Sequence, residues 1–372
     1  MHSPPSADEF EVSIFGPGFG ESCVLHLGNN CWVVVDSCLD PASKEVIPLS
    51  YLRSIGVDPS QDIYLIVATH WHDDHIRGLA EILEASHSAR FVCSDALRSQ
   101  EFTQLVCVTA RSVGRQTSGV SEFSKIIKIL KTRKNAQLGG AHVPIWAIAD
   151  RCVWTREDQN SSIRGKVSLY SLSPSDAAVY QSKLRLASLM PRIHQPKSRV
   201  PELCPNDSSV VILATTGTES VLLGADLEEC CSGLRCWSAI VESSTRPQES
   251  ASVFKVPHHG SGTSEHDGVW ENLLTTDPVA LLTPFVLGNV VLPSNKDINR
   301  IREHTTRAYA TGQPIVRKSR TRLYTVEKQI RETVRYIRPV FSSTGQVRLR
   351  GQISNSPIGW RVELFNGAIS LN

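Results

Sequence analysis

The sequence predicts a mixed α/β (α+β) fold built as a four-layer αββα sandwich, two sheets face to face with helices outside. Two observations lead there. β-branched strand segments followed by helical spacing occur in both halves of the chain, in similar order. The first half also opens as a strand meander broken by Gly- and Asn-containing turns, which a simple doubly wound sheet does not need.

Element by element, "EVSIFG", "SCVLHLG" and "CWVVVDS" alternate or run continuously in apolar residues, with "GPGFGE" and "GNN" as turns. From "DIYLIVATH" the pattern becomes strand then helix: "HIRGLAEILEAS" has helical spacing, "ARFVCSD" is strand-like, and "SQEFTQLVCVTARSV" is helical again. "SEFSKIIKILKTRKN" reads as an amphipathic helix, followed by strands in "PIWAIADRCVWT" and "VSLYSLSP". The proline-rich stretch from Ala187 to Asp207 reads as a long loop. A second strand set, "SSVVILATT" and "SVLLGAD", precedes a helix from about Leu227, the strand "SVFKVPHHG", a helix near "DGVWENLLTT" and the strand "VALLTPF". The end, "GQVRLRGQIS" and "GWRVELFNGAISL", alternates like short strands. We divide the chain into one domain over residues 1–340 and a short C-terminal β extension, 341–372, packed on it.

With 372 residues the chain can bury a full core, and 39 Lys plus Arg against 37 Asp plus Glu leave a net charge of +2. No global field marks a nucleic-acid or membrane binder. The N-terminus lacks a basic, apolar leader pattern, and the longest apolar run is broken by Thr283, Pro284 and Asn289, so a soluble, cytoplasmic protein is expected. Ten cysteines without CxxC pairs suit reduced, buried thiols, with Cys230, Cys231 and Cys236 packing a helix.

The densest chemistry lies in "ATHWHDDHIRG", Ala68 to Gly78, where three histidines and two aspartates fall within six consecutive positions. His70 and His72 stand two apart behind a strand, so both point the same way on extended backbone. Asp74 and His75 then open a helix, and the set offers N/O ligands for zinc, manganese or iron. Asp226 closes the apolar run "SVLLGAD", where Gly224 permits close backbone approach, and "KVPHHGSGTS" ends the next strand. A strand-terminal carboxylate and histidine are what a second cation needs.

"HWHDDH" matches the HxHxDH signature of the metallo-β-lactamase superfamily, and Asp36 in "VVVDSC" stands where that family carries a structural aspartate. The chain resembles more closely the hydrolase domain of the DNA-uptake protein ComEC and its stand-alone relatives. "FGPGFGES", "NDSSVVIL", "VLLGADLE" and "FKVPHHGSGTS" carry that likeness, in that order, across residues 10–300. The resemblance implies two divalent metal ions, zinc or manganese: one on His70 and His72, the other on Asp74 and His75, with Asp226 bridging. One of His258 and His259 completes the second site and its neighbour donates to a phosphate oxygen or leaving group. We assign His258 the metal and His259 the donor role, a choice the sequence leaves open. The family's central histidine is missing, and Asn206 or Asp207 of "CPNDSS" stands in its place; Asp207 is assigned, with His194 further upstream in the loop.

The implied reaction is hydrolysis by a metal-bridging hydroxide oriented by Asp74, with Lys255, the free histidine and Ser261 binding the same phosphate group. Ser261 suits turn hydrogen bonding equally well. The expected function is a nuclease or phosphodiesterase acting on nucleic acid or a nucleotide, as in bacterial conflict or DNA-processing systems, with no membrane partner. One local feature agrees: Arg302, Arg307, Arg317, Lys318, Arg320, Arg322, Lys328, Arg331, Arg335, Arg338 and Arg348 outnumber nearby acids, with Tyr309, Tyr324 and Tyr336 interleaved. A solvated helix face with edge-strand arginines explains the same excess. Two other readings stand beside this one: a metallohydrolase of a small ester, lactone, thioester or lactam, and a non-catalytic binding protein on the same fold.

Overall fold

A computed structural model describes residues 3–372 apart from 17, 101, 105, 107–118, 137–138, 159–164, 189–204, 217–218, 231, 315–322, 335–343 and 356. Its strands are β1 (Glu9–Gly16), β2 (Ser22–Leu27), β3 (Trp32–Val35), β4 (Ile63–Ala68), β5 (Arg90–Ser94), β6 (Ile145–Ala147), β7 (Arg151–Asp158), β8 (Gly165–Ser171) and β9 (Ile212–Thr215). They continue with β10 (Ser220–Leu223), β11 (Ala251–Lys255), β12 (Leu274–Leu282), β13 (Phe285–Leu287), β14 (Val290–Leu292), β15 (Ala308–Ala310), β16 (Gly345–Gln352), β17 (Arg361–Phe365) and β18 (Ile369–Ser370). One sheet has the order β17-β16-β1-β2-β3-β4-β5-β6 and the other β18-β15-β12-β11-β10-β9-β8-β7. Both are mixed: β1, β2 and β3 form the expected antiparallel meander, and β3 to β6 run parallel.

Side-chain alternation along the strands explains why two sheets stack. Val33 and Val35 face the second sheet while Trp32 and Val34 face helices; likewise Val279 and Leu281 point inward, Ala280 and Leu282 outward. The outer face of the first sheet is covered by α1 (Ile47–Ser54), α4 (Leu79–Ala85) and α5 (Gly119–Asn135), after the short α2 (Pro59–Asp62) and α3 (Asp73–Ile76). After α6 (Asp176–Ser188), the second sheet is covered by α7 (Cys236–Glu242), α8 (Asp267–Asn272) and α9 (Asn295–His304), through Trp237, Ile240, Val269 and Ile301. Three apolar clusters, one between the sheets and one outside each, give the four-layer αββα architecture.

The C-terminal segment enters both sheets. β16 pairs with β1 over eight residues, and β18 adds to the edge strand β15. Arg350 Nε donates to Glu11 at 2.7 Å, and Tyr51 Oη donates to the same carboxylate, so a buried charge network locks β16 and β1 under α1.

Three expectations are corrected. The helix placed from Leu227 begins at Cys236, because Ser232 and Gly233 break the helical run and Glu229 receives the N–H of Ser238 at the helix start. Cys230 and Cys236 are joined by a disulfide; Cys231 lies outside the described residues. Of the basic set, Arg348 is buried in β16 against Glu363, whereas Arg302, Lys328 and Arg331 are exposed. Arg317, Lys318, Arg320, Arg322, Arg335, Arg338 and Tyr336 lie outside the described residues, as does most of the 187–207 stretch with His194. No helix among the described residues is long and apolar enough to cross a membrane.

Candidate metal centre

The end of β3 sets the site. Asp36 leaves the strand with φ 59° and is buried, its Oδ1 accepting from Thr69 N at 2.8 Å and its Oδ2 from Thr69 Oγ1 at 2.7 Å. Oδ2 also takes His75 Nδ1 at 2.8 Å. Burial pushes the Asp36 carboxyl up, and the His75 and Thr69 hydrogen bonds pull it down, leaving it above the usual range. With its Nδ1 proton given to Asp36, His75 turns Nε2 toward the neighbouring ligands.

Beyond β4 the backbone carries His70 and His72 to one side, their rings 4.8 Å apart, with His70 Nε2 3.1 Å from His72 Nδ1. His72 stands at the N-terminus of α3, and Asp74 lies in its first turn. Asp73 points elsewhere: it pairs with Arg77 at 2.5 Å and accepts from Gly119 N at 2.6 Å.

Asp226 lies at the middle of the cluster. Its Oδ2 is 3.2 Å from His75 Nε2, 3.7 Å from His259 Nε2 and 4.0 Å from His70 Nε2. Gly224 must be small, since a Cβ there would lie 2.9 Å from the Lys255 carbonyl. Asp74 Oδ2 is 3.4 Å from His259 Nε2 and 3.8 Å from His75 Nε2. Two groups result, Asp74, His75, Asp226 and His259 in one and His70, His72 and Asp226 in the other, each with ligand atoms within 4.8 Å of one another.

The histidine pair reverses the assignment made from sequence. His258, His259 and Gly260 all have positive φ, 48°, 55° and 83°, so the chain turns left-handed instead of running extended. His259 goes inward, its Nδ1 donating to Thr283 O at 3.0 Å and its ring stacked on Phe285 at 4.9 Å. His258 stays on the open side, 3.1 Å from Thr263 Oγ1 and 3.3 Å from Glu228.

Three further residues differ from their assigned roles. Asp207 pairs with Arg185 at 2.5 Å, away from the cluster. Asn206 instead keeps a buried Oδ1 with no hydrogen-bond partner among the described residues, while its Nδ2 donates to Glu228. Ser261 accepts from Thr263 N and caps a turn. Lys255 is 1% exposed and donates to the Glu21 carboxylate and to Ala225 O, out of reach of a substrate phosphate. Sequence reasoning passed over Glu21, Thr69 and Thr283, although "FGPGFGES" contained the first.

The donor set fits a cation. Among the described residues His75 Nε2 and Asp226 Oδ1 are buried and make no hydrogen bond, Asp226 Oδ1 having Lys255 Nζ at 3.8 Å, and a cation would satisfy both atoms. Burial would favour neutral carboxyls, yet the His75 and His259 charges hold Asp74 and Asp226 below the usual range. Burial opposes charge on His75 and His259 too, but Asp226 and Asp74 keep both raised. His70, desolvated beside His75 and His72, is pushed down to the neutral form that ligates.

A cleft of about 1140 Å³ opens from Asp74 between the β1–β2 turn and α5. Phe19, Leu39, Ile129 and Val286 make it largely apolar, and Lys125 and Lys128 are offset by Glu81 and Glu84.

Against known proteins, residues 16–148 match the family model of the Metallo-beta-lactamase superfamily. That segment resembles a domain of the metallo-β-lactamase superfamily. Among solved structures the chain is similar to the metallo-beta-lactamase fold protein YhfI from Bacillus subtilis, at 14% identity and TM-score 0.41, covering 81% of this chain and 95% of that one. It is also similar to MEM-A1, a subclass B3 metallo-beta-lactamase from a soil metagenome library, at 13% identity and TM-score 0.30 over 66% and 71% of the two chains. A variant of the CmlA beta-hydroxylase follows at 14% identity and TM-score 0.33, covering 74% of this chain and 40% of that one. No curated protein matches the chain.

Proposed function

We propose that the protein is a metal-dependent hydrolase of phosphodiester bonds in nucleic acid or a nucleotide. The observation that carries the metal-dependent part is the Asp226 carboxylate shared by two groups of buried ligands. Divalent cations held there supply Lewis acidity and a water acidified toward neutral pH. His70, His72 and Asp226 would hold one ion, and Asn206, whose buried Oδ1 has no hydrogen-bond partner among the described residues, stays the candidate for the family's central histidine; Asp74, His75, Asp226 and His259 would hold the other.

The chain's own residues do the rest. Asp36 and Thr283 fix His75 and His259 with Nε2 facing inward. Asp74, partly exposed at the cleft, orients the attacking water and holds its proton-bearing side toward the carboxylate. His258, on the open side, donates a hydrogen bond to the scissile group. The likeness to ComEC-like hydrolase domains supports phosphodiester chemistry, and the cleft supports an extended substrate: Glu122 to Arg133 of α5 line it, about 16 Å of helix.

The apolar, charge-balanced cleft walls favour a second reading, hydrolysis of an uncharged ester, lactone, thioester or lactam. One experiment separates them: cleavage of single- and double-stranded nucleic acid, bis(p-nitrophenyl) phosphate and p-nitrophenyl acyl esters, with zinc or manganese. The expected result is phosphodiester turnover that Asp74→Asn lowers by roughly 10²-fold or more. Asp73→Asn keeps turnover within a few-fold, because Asp73 faces Arg77 and Gly119. Acyl-ester cleavage without phosphodiester cleavage would install the second reading.

A further inference from the structure

Behind the ligands lies a buried ion pair that neither the signature nor the proposed reaction uses. Glu21 is 3% exposed and Lys255 1%, and each makes contacts that lead to the metal centre. The Glu21 carboxylate receives Lys255 Nζ and Thr283 Oγ1, and lies 3.5 Å from His259 Nδ1 and 3.7 Å from His75 Nδ1. It is thus behind both imidazoles, on the side opposite their ligating Nε2. Thr283 joins the two by accepting His259 Nδ1 on its carbonyl while its hydroxyl donates to Glu21. The Glu21 backbone also donates to Asp74 O at 2.9 Å. Gly20, with φ 100°, allows that approach, since a Cβ there would lie 2.9 Å from the same oxygen.

Lys255 acts on the other end. Its Nζ donates to Ala225 O at 2.7 Å, and His258 N donates to the same carbonyl at 3.0 Å. Ala225 has φ 48°, a left-handed conformation unfavourable for a residue with a Cβ, and it immediately precedes Asp226. One carbonyl therefore ties together the turn that aims Asp226 and the turn that aims His259. A buried ion pair is not by itself a source of stability, because desolvation offsets the attraction. Its contacts with the ligand residues argue for another use: Lys255 lies 3.8 Å from the shared Asp226, and Glu21 faces His75 and His259.

We propose that Glu21 and Lys255 are positioning residues for the Asp74, His75, Asp226 and His259 group, with Glu21 selective for that group over the one formed by His70 and His72. The inference rests on the metal centre proposed above, not on the substrate. Glu21 reaches Asp74 through its backbone and His75 and His259 through its carboxylate, all three members of that group.

The test is stepwise zinc titration of metal-stripped protein, wild type against Glu21→Gln, with cobalt absorption spectra reporting the geometry of the second ion. Expected is a second-ion affinity weaker by about 10–100-fold and an altered cobalt spectrum, with first-ion affinity changed far less. Thermal unfolding of the metal-free proteins checks folding. If Glu21→Gln fails to fold, Thr283→Val, which removes the hydroxyl joining Glu21 to the His259 side and leaves Lys255 beside the shared Asp226, should show the same selective loss. Unchanged affinities, or equal loss of both ions, would overturn the proposal while leaving the metal centre standing. A wild type that binds no second ion would overturn both.

Discussion

Replacing His259 with alanine should empty one metal position while replacing His258 should not. His259 is one of four side chains in its group. Structural zinc sites bind with about 10–16 kcal/mol, so an even share among four side chains is about 2.5–4 kcal/mol, or roughly 10²–10³-fold in affinity. The ring is already held by Thr283 O at 3.0 Å and by Phe285, so little ordering entropy is recovered when it is removed. His258 touches Thr263 and a half-exposed Glu228, a contact of the kind worth about 0–1 kcal/mol, less than about fivefold. The assay is calorimetric zinc titration of metal-stripped protein against a competing chelator, with elemental analysis of bound ions. Loss of an ion in His258→Ala with retention in His259→Ala would refute the inward placement of His259. Equal thermal midpoints of the two metal-free variants would exclude unfolding as the cause.

Two other predictions concern the scaffold. Arg133 is 4% exposed and donates to the carbonyls of Leu83, Ser86, Ala89 and Ala141 around the C-terminal end of α4, so Arg133→Met should cost about 3 kcal/mol in chemical denaturation of the metal-free protein; a loss below about 1 kcal/mol counts against that capping role. His26 is held by Glu9 O and Asn30 N, and burial lowers its pKa from 6.5 to about 4. Its unfolded state therefore binds the proton first: its contribution is complete above pH 6.5 and is lost as pH falls toward 4, by up to about 3 kcal/mol. The stability difference between wild type and His26→Gln should shrink over that window, and a constant difference would contradict it.

What the sequence determined by itself was local. Apolar alternation set the strands, and crowding of His70, His72, Asp74 and His75 into one strand-to-helix turn made the candidate ligand set visible, because residues that close along the chain meet whatever the rest does. Asp226 was legible for a similar reason, as a charge ending an apolar strand beside a glycine. Tertiary structure decided whatever depends on contacts distant along the chain. The pairing of Glu21 with Lys255 spans the β1–β2 turn and the end of β11, so Lys255 looked like a phosphate binder until burial removed it from solvent. Arg185 takes Asp207 away from the site from a helix before the long loop, which no local pattern announces. His258 and His259 exchanged roles because both sit in left-handed backbone, where the alternation rule of an extended strand does not hold. The physical reason is the same in each case: spacing along the chain fixes which side chains share a turn, but only packing fixes which distant partner satisfies a buried charge.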